Sequence, residues 1–111
     1  MRKGKVYYND VLAGIITETD EGLFSFLYET DYVENYAHQF LTFSMPVRKE
    51  PYTDNRLFSF FEGLIPEGWL LEIASKNWRI TTNDRMGLLL ACCENCIGAV
   101  SVIPMEELED E

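Results

Sequence analysis

The sequence is poor in the residue types that metal and thiol chemistry use. It has three cysteines and one histidine, His38, in 111 residues. Cys92, Cys93 and Cys96 lie close together, but a structural zinc site needs four ligands and His38 is remote in sequence. A redox-active C-x-x-C pair sits at a helix N-terminus, whereas Cys93 and Cys96 are expected near a helix C-terminus. We therefore expect no metal or other cofactor, and we interpret the cysteines as small core residues in a reducing compartment.

Basic residues are also scarce. The chain has 9 Lys and Arg against 19 Asp and Glu, which gives a formal net charge of −10. This charge repels nucleic-acid phosphates and anionic lipid surfaces, so we expect no direct contact with nucleic acid or membrane. Five of the acidic residues lie in 106–111. We interpret residues 105–111 as a solvated acidic tail, with docking of this tail on a basic partner as the alternative.

Long apolar runs are absent. The longest, residues 88–93, is far shorter than the ~20 residues that span a bilayer. The basic start, residues 1–5, leads into a strand-like pattern and not into the apolar core of a secretory signal. The sequence therefore predicts a cytoplasmic protein.

Hydrophobic and aromatic residues are plentiful. They make up 47% and 14% of the chain, which is typical of a folded globular domain and argues against disorder. A chain of 111 residues is long enough for one domain with its own core. We place this domain at residues 1–104, before the acidic tail.

The first half of the sequence reads as strands. Residues 5–9 and 12–17 flank an Asn9-Asp10 turn, and residues 23–28 follow the turn at Gly22, which predicts an antiparallel meander. In the third strand Phe24, Phe26 and Tyr28 share one face, and Leu23 and Leu27 share the other. Residues 31–39 are expected as a short helix or loop. Residues 40–47 are expected as a further strand that ends at Pro46.

The second half reads as helices. We expect the first helix to be capped by Thr53 or Asp54 and to stop at Gly63, the second to span 66–79 from Pro66, and the third to be capped by Thr82 or Asn83. The third helix would turn Met86, Leu89, Leu90 and Cys93 inward, and Asn95 would terminate it. Residues 97–103 form a last strand, stopped by Pro104. The pattern predicts an α+β domain in which about three helices pack on an antiparallel sheet, made of the N-terminal meander and the returning C-terminal strand.

Trp69 is the side chain that most directly suggests a binding function. In the helix expected over 66–79 the apolar stripe includes Leu70, Ile73 and Trp78, and Trp69 lies about 140° from its centre. One interpretation is that Trp69 packs under its own loop, because tryptophan is highly buried on average. The other is that it anchors an interface, because tryptophan is enriched among binding hot spots. Trp78, on the stripe, is assigned to the core.

No set of residues predicts catalysis. Glu62, Glu67 and Glu72 are near one another in sequence, but a spacing of five residues spreads them around a helix, and Pro66 interrupts it. His38 has no recognisable nucleophile beside it. We interpret the glutamates as a solvated face and expect no enzyme activity.

Several fragments, in this order, resemble one known family. The chain is similar to the N-terminal subdomain of HipA-type serine/threonine kinase toxins from about Lys5 to Pro104. The most specific part is the Leu-Ile-Pro-Glu-Gly junction followed, after a helix with paired leucines, by the Gly-Ala-Val strand. The fragments that carry the resemblance are Phe60-Phe61-Glu62-Gly63-Leu64-Ile65-Pro66-Glu67-Gly68, Asp84 with Leu88-Leu89, Gly98-Ala99-Val100 and Ile103-Pro104.

The chain departs from these toxins where they continue into a kinase core. It has no Gly-rich phosphate loop, no lysine after a Val-Ala-Ile pattern and no His-x-Asp motif, and phosphoryl transfer needs such groups. The resemblance therefore implies a HipS-like antitoxin of a three-component system. Its partners would be a HipT-like serine/threonine kinase, which it neutralises, and a HipB-like helix-turn-helix protein in a larger complex.

Four residues of the Leu-Ile-Pro-Glu-Gly motif and the tryptophan that follows it are expected to bind the kinase. They are Ile65, Pro66, Glu67, Gly68 and Trp69. Block of the active site and allosteric inhibition are both open. The alternative function is that of the N-terminal subdomain of a HipA-type kinase that contacts a HipB-like DNA-binding repressor.

Overall fold

The computed structural model describes residues 2–65, 84–92 and 99–105. The described elements are β1 (Arg2–Tyr8), β2 (Val11–Glu18), β3 (Phe24–Tyr28), α1 (Thr30–Asn35), β4 (Tyr52–Asp54), α2 (Ser59–Glu62), α3 (Arg85–Cys92) and β5 (Val100–Met105). The strands form one antiparallel sheet in the order β4-β3-β2-β1-β5. The predicted α+β class is confirmed, with the meander at the centre and the C-terminal strand returning beside β1. Among the described residues, no helix is both long and apolar enough to cross a membrane.

The meander follows from its turn residues. Asn9 and Asp10 both have positive φ, 51° and 68°, which is the geometry of the two-residue turn that suits the twist of a hairpin. Gly22 has φ of 87°, a conformation that costs glycine little, and it closes the turn between β2 and β3. Both turns predicted from the sequence are confirmed.

The two faces of β3 differ as the alternation predicts. Phe24, Phe26 and Tyr28 are buried in the core, whereas Leu23 and Leu27 on the opposite face are 46% and 45% exposed. The core under the sheet is formed by side chains from every part of the described chain. Its fully buried members include Val6, Ile16, Phe26, Tyr32, Phe61, Met86, Leu89 and Val102.

The predicted strand at residues 40–47 is wrong. This stretch is a loop in which Met45 is buried while Phe43 is 89% exposed. Tyrosine hydroxyls, and not a neighbouring strand, bind its backbone: Tyr28 donates to the Met45 carbonyl and Tyr32 donates to the Gln39 carbonyl at 2.6 Å. Residues 31–39 do contain a short helix, α1, as expected.

The helix predicted to start at Thr53 or Asp54 is also corrected. These two residues belong to β4, which pairs with β3 through Ser25 and Phe24. The helix that follows is a single turn, Ser59–Glu62, and no side chain caps its N-terminus at Phe58. Cross-strand pairing to β3 therefore overrides the capping pattern.

The third predicted helix is present as α3, with a different cap. Thr82 and Asn83 lie outside the described residues, and the cap is Asp84, whose carboxylate accepts a hydrogen bond from Gly87 N–H at 3.1 Å. Met86 and Leu89 are fully buried and Leu90 is half-buried, as expected, and Leu88 is fully buried as well. Cys93, Asn95, Cys96 and the side chain of Cys92 also fall outside the described residues, as does the predicted helix at 66–79 with its core residue Trp78.

The last strand runs further than predicted. It begins at Val100 and continues through Pro104 to Met105, and Pro104 lies opposite Gly4 of β1. Proline is tolerated because β5 is at the edge of the sheet, where a missing N–H need not break a ladder hydrogen bond.

Candidate partner-binding surface

The candidate surface starts at α2, where a cluster of aromatic rings packs on the core. Phe61 is fully buried, and its ring centroid lies 5.6 Å from Phe26 of β3. Phe58 and Phe60 flank it at 6.2 and 5.2 Å. Rings at these distances and tilts make favourable contacts in addition to their burial. Four aromatic side chains therefore hold a helix that is too short to be stable by itself.

Two backbone hydrogen bonds continue the turn of α2 through Leu64 and Ile65. Gly63 ends the helix as predicted, but with right-handed φ and ψ of −69° and −16°. Leu64 N–H donates to the Phe61 carbonyl at 3.0 Å, and Ile65 N–H donates to the Glu62 carbonyl at 3.2 Å. Leu64 and Ile65 are half-buried and pack against the core. Part of the Ile65 side chain is therefore buried within the domain and is not free to contact a partner.

An ion pair joins the end of α2 to the start of α3. Arg85 Nη2 lies 2.8 Å from Glu62 Oε1, and Arg85 Nε donates to both carboxylate oxygens at 3.1 Å. Both side chains are 36% exposed, so solvent screens the pair. The contact ties together the two ends of residues 63–84, the stretch that carries the predicted binding residues.

A second ionic cluster fixes the residue before α3 to the sheet. Arg2 of β1 binds Asp84 through two parallel bonds, Nη1 to Oδ2 at 3.0 Å and Nη2 to Oδ1 at 2.6 Å. Arg2 Nε also donates to Glu18 of β2 at 2.7 Å. The bonds from Arg2 lower the pKa of Asp84, so this carboxylate remains charged as an N-cap in mildly acidic solution. A methyl group on Gly87 would come within 2.8 Å of Asp84 Cγ, so glycine leaves room for this cap.

We call Glu62, Arg85, Arg2, Asp84 and Glu18 the ion-paired junction. It holds both ends of residues 63–84 on the inner side of the sheet, beside α2. Within the described ranges, no three His, Cys, Asp or Glu side chains are grouped to hold a metal ion.

Comparison with known proteins identifies the family. The family model described as the HipA N-terminal domain matches residues 4–103 of the chain. The chain belongs to the HipA N-terminal domain family.

Two relatives support this assignment. A protein of Haemophilus influenzae, described only as uncharacterized, is 34% identical over 102 residues, which cover 92% of both chains. A solved structure, the N-terminal domain of HipA toxin, has a TM-score of 0.71 and 31% identity and covers 96% of this chain and 95% of that one. The resemblance noted from the Leu-Ile-Pro-Glu-Gly and Gly-Ala-Val motifs is confirmed, and it links the chain to toxin–antitoxin systems.

The predicted binding residues divide into two groups. Ile65 is described, and its N–H donates to the Glu62 carbonyl at the end of α2. Pro66, Glu67, Gly68 and Trp69 lie outside the described residues. Their role in binding stays a prediction. The structure adds the ion pairs of Glu62 and Asp84, which flank this stretch on either side.

Sequence reasoning missed the ion-paired junction. Glu62 was considered only as one of several solvated glutamates, whereas its carboxylate binds Arg85, 23 residues further along the chain. Arg2 and Asp84 are 82 residues apart, and their pairing depends on where β1 and α3 meet. The sequence offered only an acid at the end of the first predicted helix and an arginine at the start of the third, which do not by themselves indicate a pair.

Proposed function

We propose that this HipA N-terminal domain protein is an antitoxin that binds and neutralises a HipT-type serine/threonine kinase by protein–protein contact. It acts without chemistry of its own. In this proposal a HipB-like helix-turn-helix protein joins the larger complex, and the domain works in the cytoplasm.

Family membership is the observation that carries the proposal. The match to the HipA N-terminal domain spans residues 4–103, and the solved HipA toxin domain is covered over 95% of its length. The relative from Haemophilus influenzae is domain-sized too, because 102 aligned residues make up 92% of it. A relative of this length has no room for a kinase domain. A separate small partner of a kinase is consistent with that length.

The geometry of the ion-paired junction supports binding through residues 63–84, because it holds both ends of this segment. Glu62 and Arg85 join the ends of residues 63–84, and Arg2 fixes Asp84 to the sheet. A segment whose ends are held loses less conformational entropy when it binds, so more of the contact energy appears as affinity. Trp69 is the proposed anchor in this segment. In the proposal, it inserts into a cleft of the kinase and blocks nucleotide or substrate access.

Charge adds to the proposal. The chain carries a formal net charge of −10, which would speed its encounter with a basic surface. A kinase that acts beside a DNA-binding protein is expected to offer such a surface.

Co-expression with the kinase-like protein encoded beside its gene tests the proposal. We expect rescue of growth and co-purification of the two proteins. Trp69→Ala should weaken binding by about 2 kcal/mol or more, the scale of a hot spot. Leu27→Ala, which also removes an apolar side chain but at a site 45% exposed on the opposite face of the sheet, is the matched control.

A toxic kinase that is neither bound nor neutralised by the folded wild-type chain would contradict the proposal. The second candidate, contact with a HipB-like repressor as part of a HipA-type toxin, is favoured by the 31% identity to the HipA toxin domain. It predicts co-purification with the repressor in the absence of any kinase.

A further inference from the structure

The sheet has a second face, on the side opposite the core. Gly4 and Val6 of β1 face the core and are buried, so Lys3 and Lys5, which alternate with them, face the other way and are half-buried. The helices α1, α2 and α3 each place side chains in the core, so the described helices lie on the core side. We call the side that carries Lys3 and Lys5 the outer face.

Two rows of paired residues cross the outer face. On β3, β2, β1 and β5, in that order, the first row is Leu27, Ile15, Lys5 and Ile103, and the second is Ser25, Thr17, Lys3 and Met105. Leu27 is 45% exposed, and Ile15 and Ile103 are half-buried. A contiguous apolar patch on a surface commonly marks a contact site. The outer face is therefore an apolar surface whose rows carry two positive charges and no negative one.

An acidic segment leaves the sheet at the border of this face. The strand β5 ends at Met105, which is the register partner of Lys3. Partner Cα atoms in an antiparallel pair are about 5 Å apart. Residues 106–111 follow directly and read Glu-Glu-Leu-Glu-Asp-Glu; they lie outside the described residues. Their covalent link to Met105 starts the five carboxylates of the segment beside Lys3.

The segment is long enough to cross the outer face. Its six residues span at most about 20 Å when extended. Neighbouring strands are about 4.8 Å apart, so β3 is about 14 Å from β5. Leu108, the single apolar residue of the segment, is three residues after Met105 and reaches about 10 Å. That is the distance from β5 to β2, the strand that carries Ile15.

Charge favours the outer face as the place where the segment lies. The rest of the chain is acidic as well, because only five of its 19 Asp and Glu residues are in 106–111 and it has 9 Lys and Arg. Most of the surface therefore repels the segment, whereas Lys3 and Lys5 attract it. A short tether also keeps the segment at an effective concentration in the mM range, so a weak contact is sufficient.

From these observations we propose that residues 106–111 fold back over the outer face and cover it. A carboxylate of the segment pairs with Lys3, and Lys5 adds positive potential from the next row. Leu108 packs on Ile15 in the apolar row. The segment is then a tethered cover of the sheet and not a solvated tail, and it closes the apolar row to a second copy of the chain. The inference does not depend on the proposed function.

NMR of the full-length chain tests the cover directly. We expect a nuclear Overhauser contact between the methyl protons of Leu108 and the side chain of Ile15 at low salt. The wild-type protein is used, so the result does not depend on whether a variant folds. The inference would be overturned by the absence of any contact from Leu108 to the outer face.

Charge reversal tests whether Lys3 recruits the segment. Lys3→Glu should weaken the contact between Leu108 and Ile15 several-fold, because it places a negative charge where the acidic segment begins. Lys49→Glu changes the net charge equally, and Lys49 is exposed three residues before β4, at the opposite edge of the sheet from β5. This control should keep the contact. Equal losses in the two variants would show that only total charge matters and would overturn the pairing.

Two further measurements complete the test. Melting curves check that Lys3→Glu folds; if it does not, the wild type in about 1 M salt replaces it and should lose the contact several-fold, because charges are then screened within ~3 Å. A contact that this salt leaves unchanged would overturn the role of charge. In a mixture of isotope-labelled and unlabelled chains, the contact should occur within one molecule. A contact between molecules would mean that a second copy supplies the cover, and this too overturns the inference.

Discussion

Residues 36–47, which we call the tyrosine-held loop, and the ion-paired junction border the same helix, α2, and are held by opposite means. In the loop, neutral hydroxyls of buried tyrosines bind backbone carbonyls, as Tyr32 does with Gln39. In the junction, charged side chains that are about a third exposed bind each other, as Glu62 does with Arg85. Salt screens the second kind of contact and hardly affects the first. The two regions beside α2 should therefore respond differently to ionic strength.

Removal of the shared support should have the largest effect. Phe61 is fully buried against Phe26, and Phe26 packs edge-on at 4.8 Å against Tyr28 of β3, whose hydroxyl binds the loop. Phe61→Ala should lower the free energy of unfolding by about 3 to 5 kcal/mol and loosen both regions together. Chemical denaturation measures the change, with Leu27→Ala as the control expected to cost much less. A small loss for Phe61→Ala would mean that the two regions do not share this support.

Loss of the Tyr28 hydroxyl should destabilise the loop and leave the ion-paired junction unaffected. Tyr28→Phe keeps the ring and leaves the Met45 carbonyl and Leu41 N–H without their partner, which should cost about 1 to 3 kcal/mol. Hydrogen exchange should rise in residues 39–46 and not at α3. Tyr7→Phe is the control, because no hydrogen bond of the Tyr7 hydroxyl occurs among the described residues. Equal losses in the two variants would contradict the holding role of Tyr28.

The junction should respond to salt. Glu62→Gln removes the charge that binds Arg85 and should cost about 0.2 to 1 kcal/mol at low ionic strength, as for other partly exposed pairs. The difference from wild type should shrink toward zero at about 1 M salt, where charges are screened within ~3 Å. Glu21→Gln controls for net charge. A cost for Glu62→Gln that is unchanged by salt would contradict this account of the pair.

The smallest effect is expected from lowering the pH, which protonates Asp84. The bonds from Arg2 lower the pKa of Asp84 below its ordinary value of 3.8, so their contribution is present above that value and is lost as the pH falls through the lowered pKa. Arg2→Met should therefore destabilise the protein most near neutral pH and progressively less below about pH 4. Melting curves over pH, with Lys5→Met as the charge control, measure this. A destabilisation independent of pH would show that Arg2 acts through packing alone.

Short-range signals predicted the centre of the fold. The turns at Asn9-Asp10 and Gly22 and the alternation from Phe24 to Tyr28 are local properties, and the meander followed from them. The strand predicted at residues 40–47 was wrong because their apolar spacing resembles that of a strand, while the groups that bind their backbone are hydroxyls from β3, α1 and β4. Such hydroxyl-to-backbone bonds have no sequence pattern.

The candidate surface was predicted only in part. The helix end at Gly63 and the family resemblance are confirmed, because a helix end and a family motif are both local, whereas the binding role of this region stays a prediction. The support from Arg2, Asp84 and Arg85 joins residues distant in sequence, so it could not be inferred before the fold was known.

Titration of the purified HipT-type kinase with this chain tests the central claim most directly. The rate of phosphoryl transfer to the kinase's protein substrate is measured at increasing amounts of the chain. The account predicts that the rate falls to background at about one equivalent, and that Trp69→Ala needs a large excess. An undiminished rate in the presence of the folded wild-type chain would contradict it.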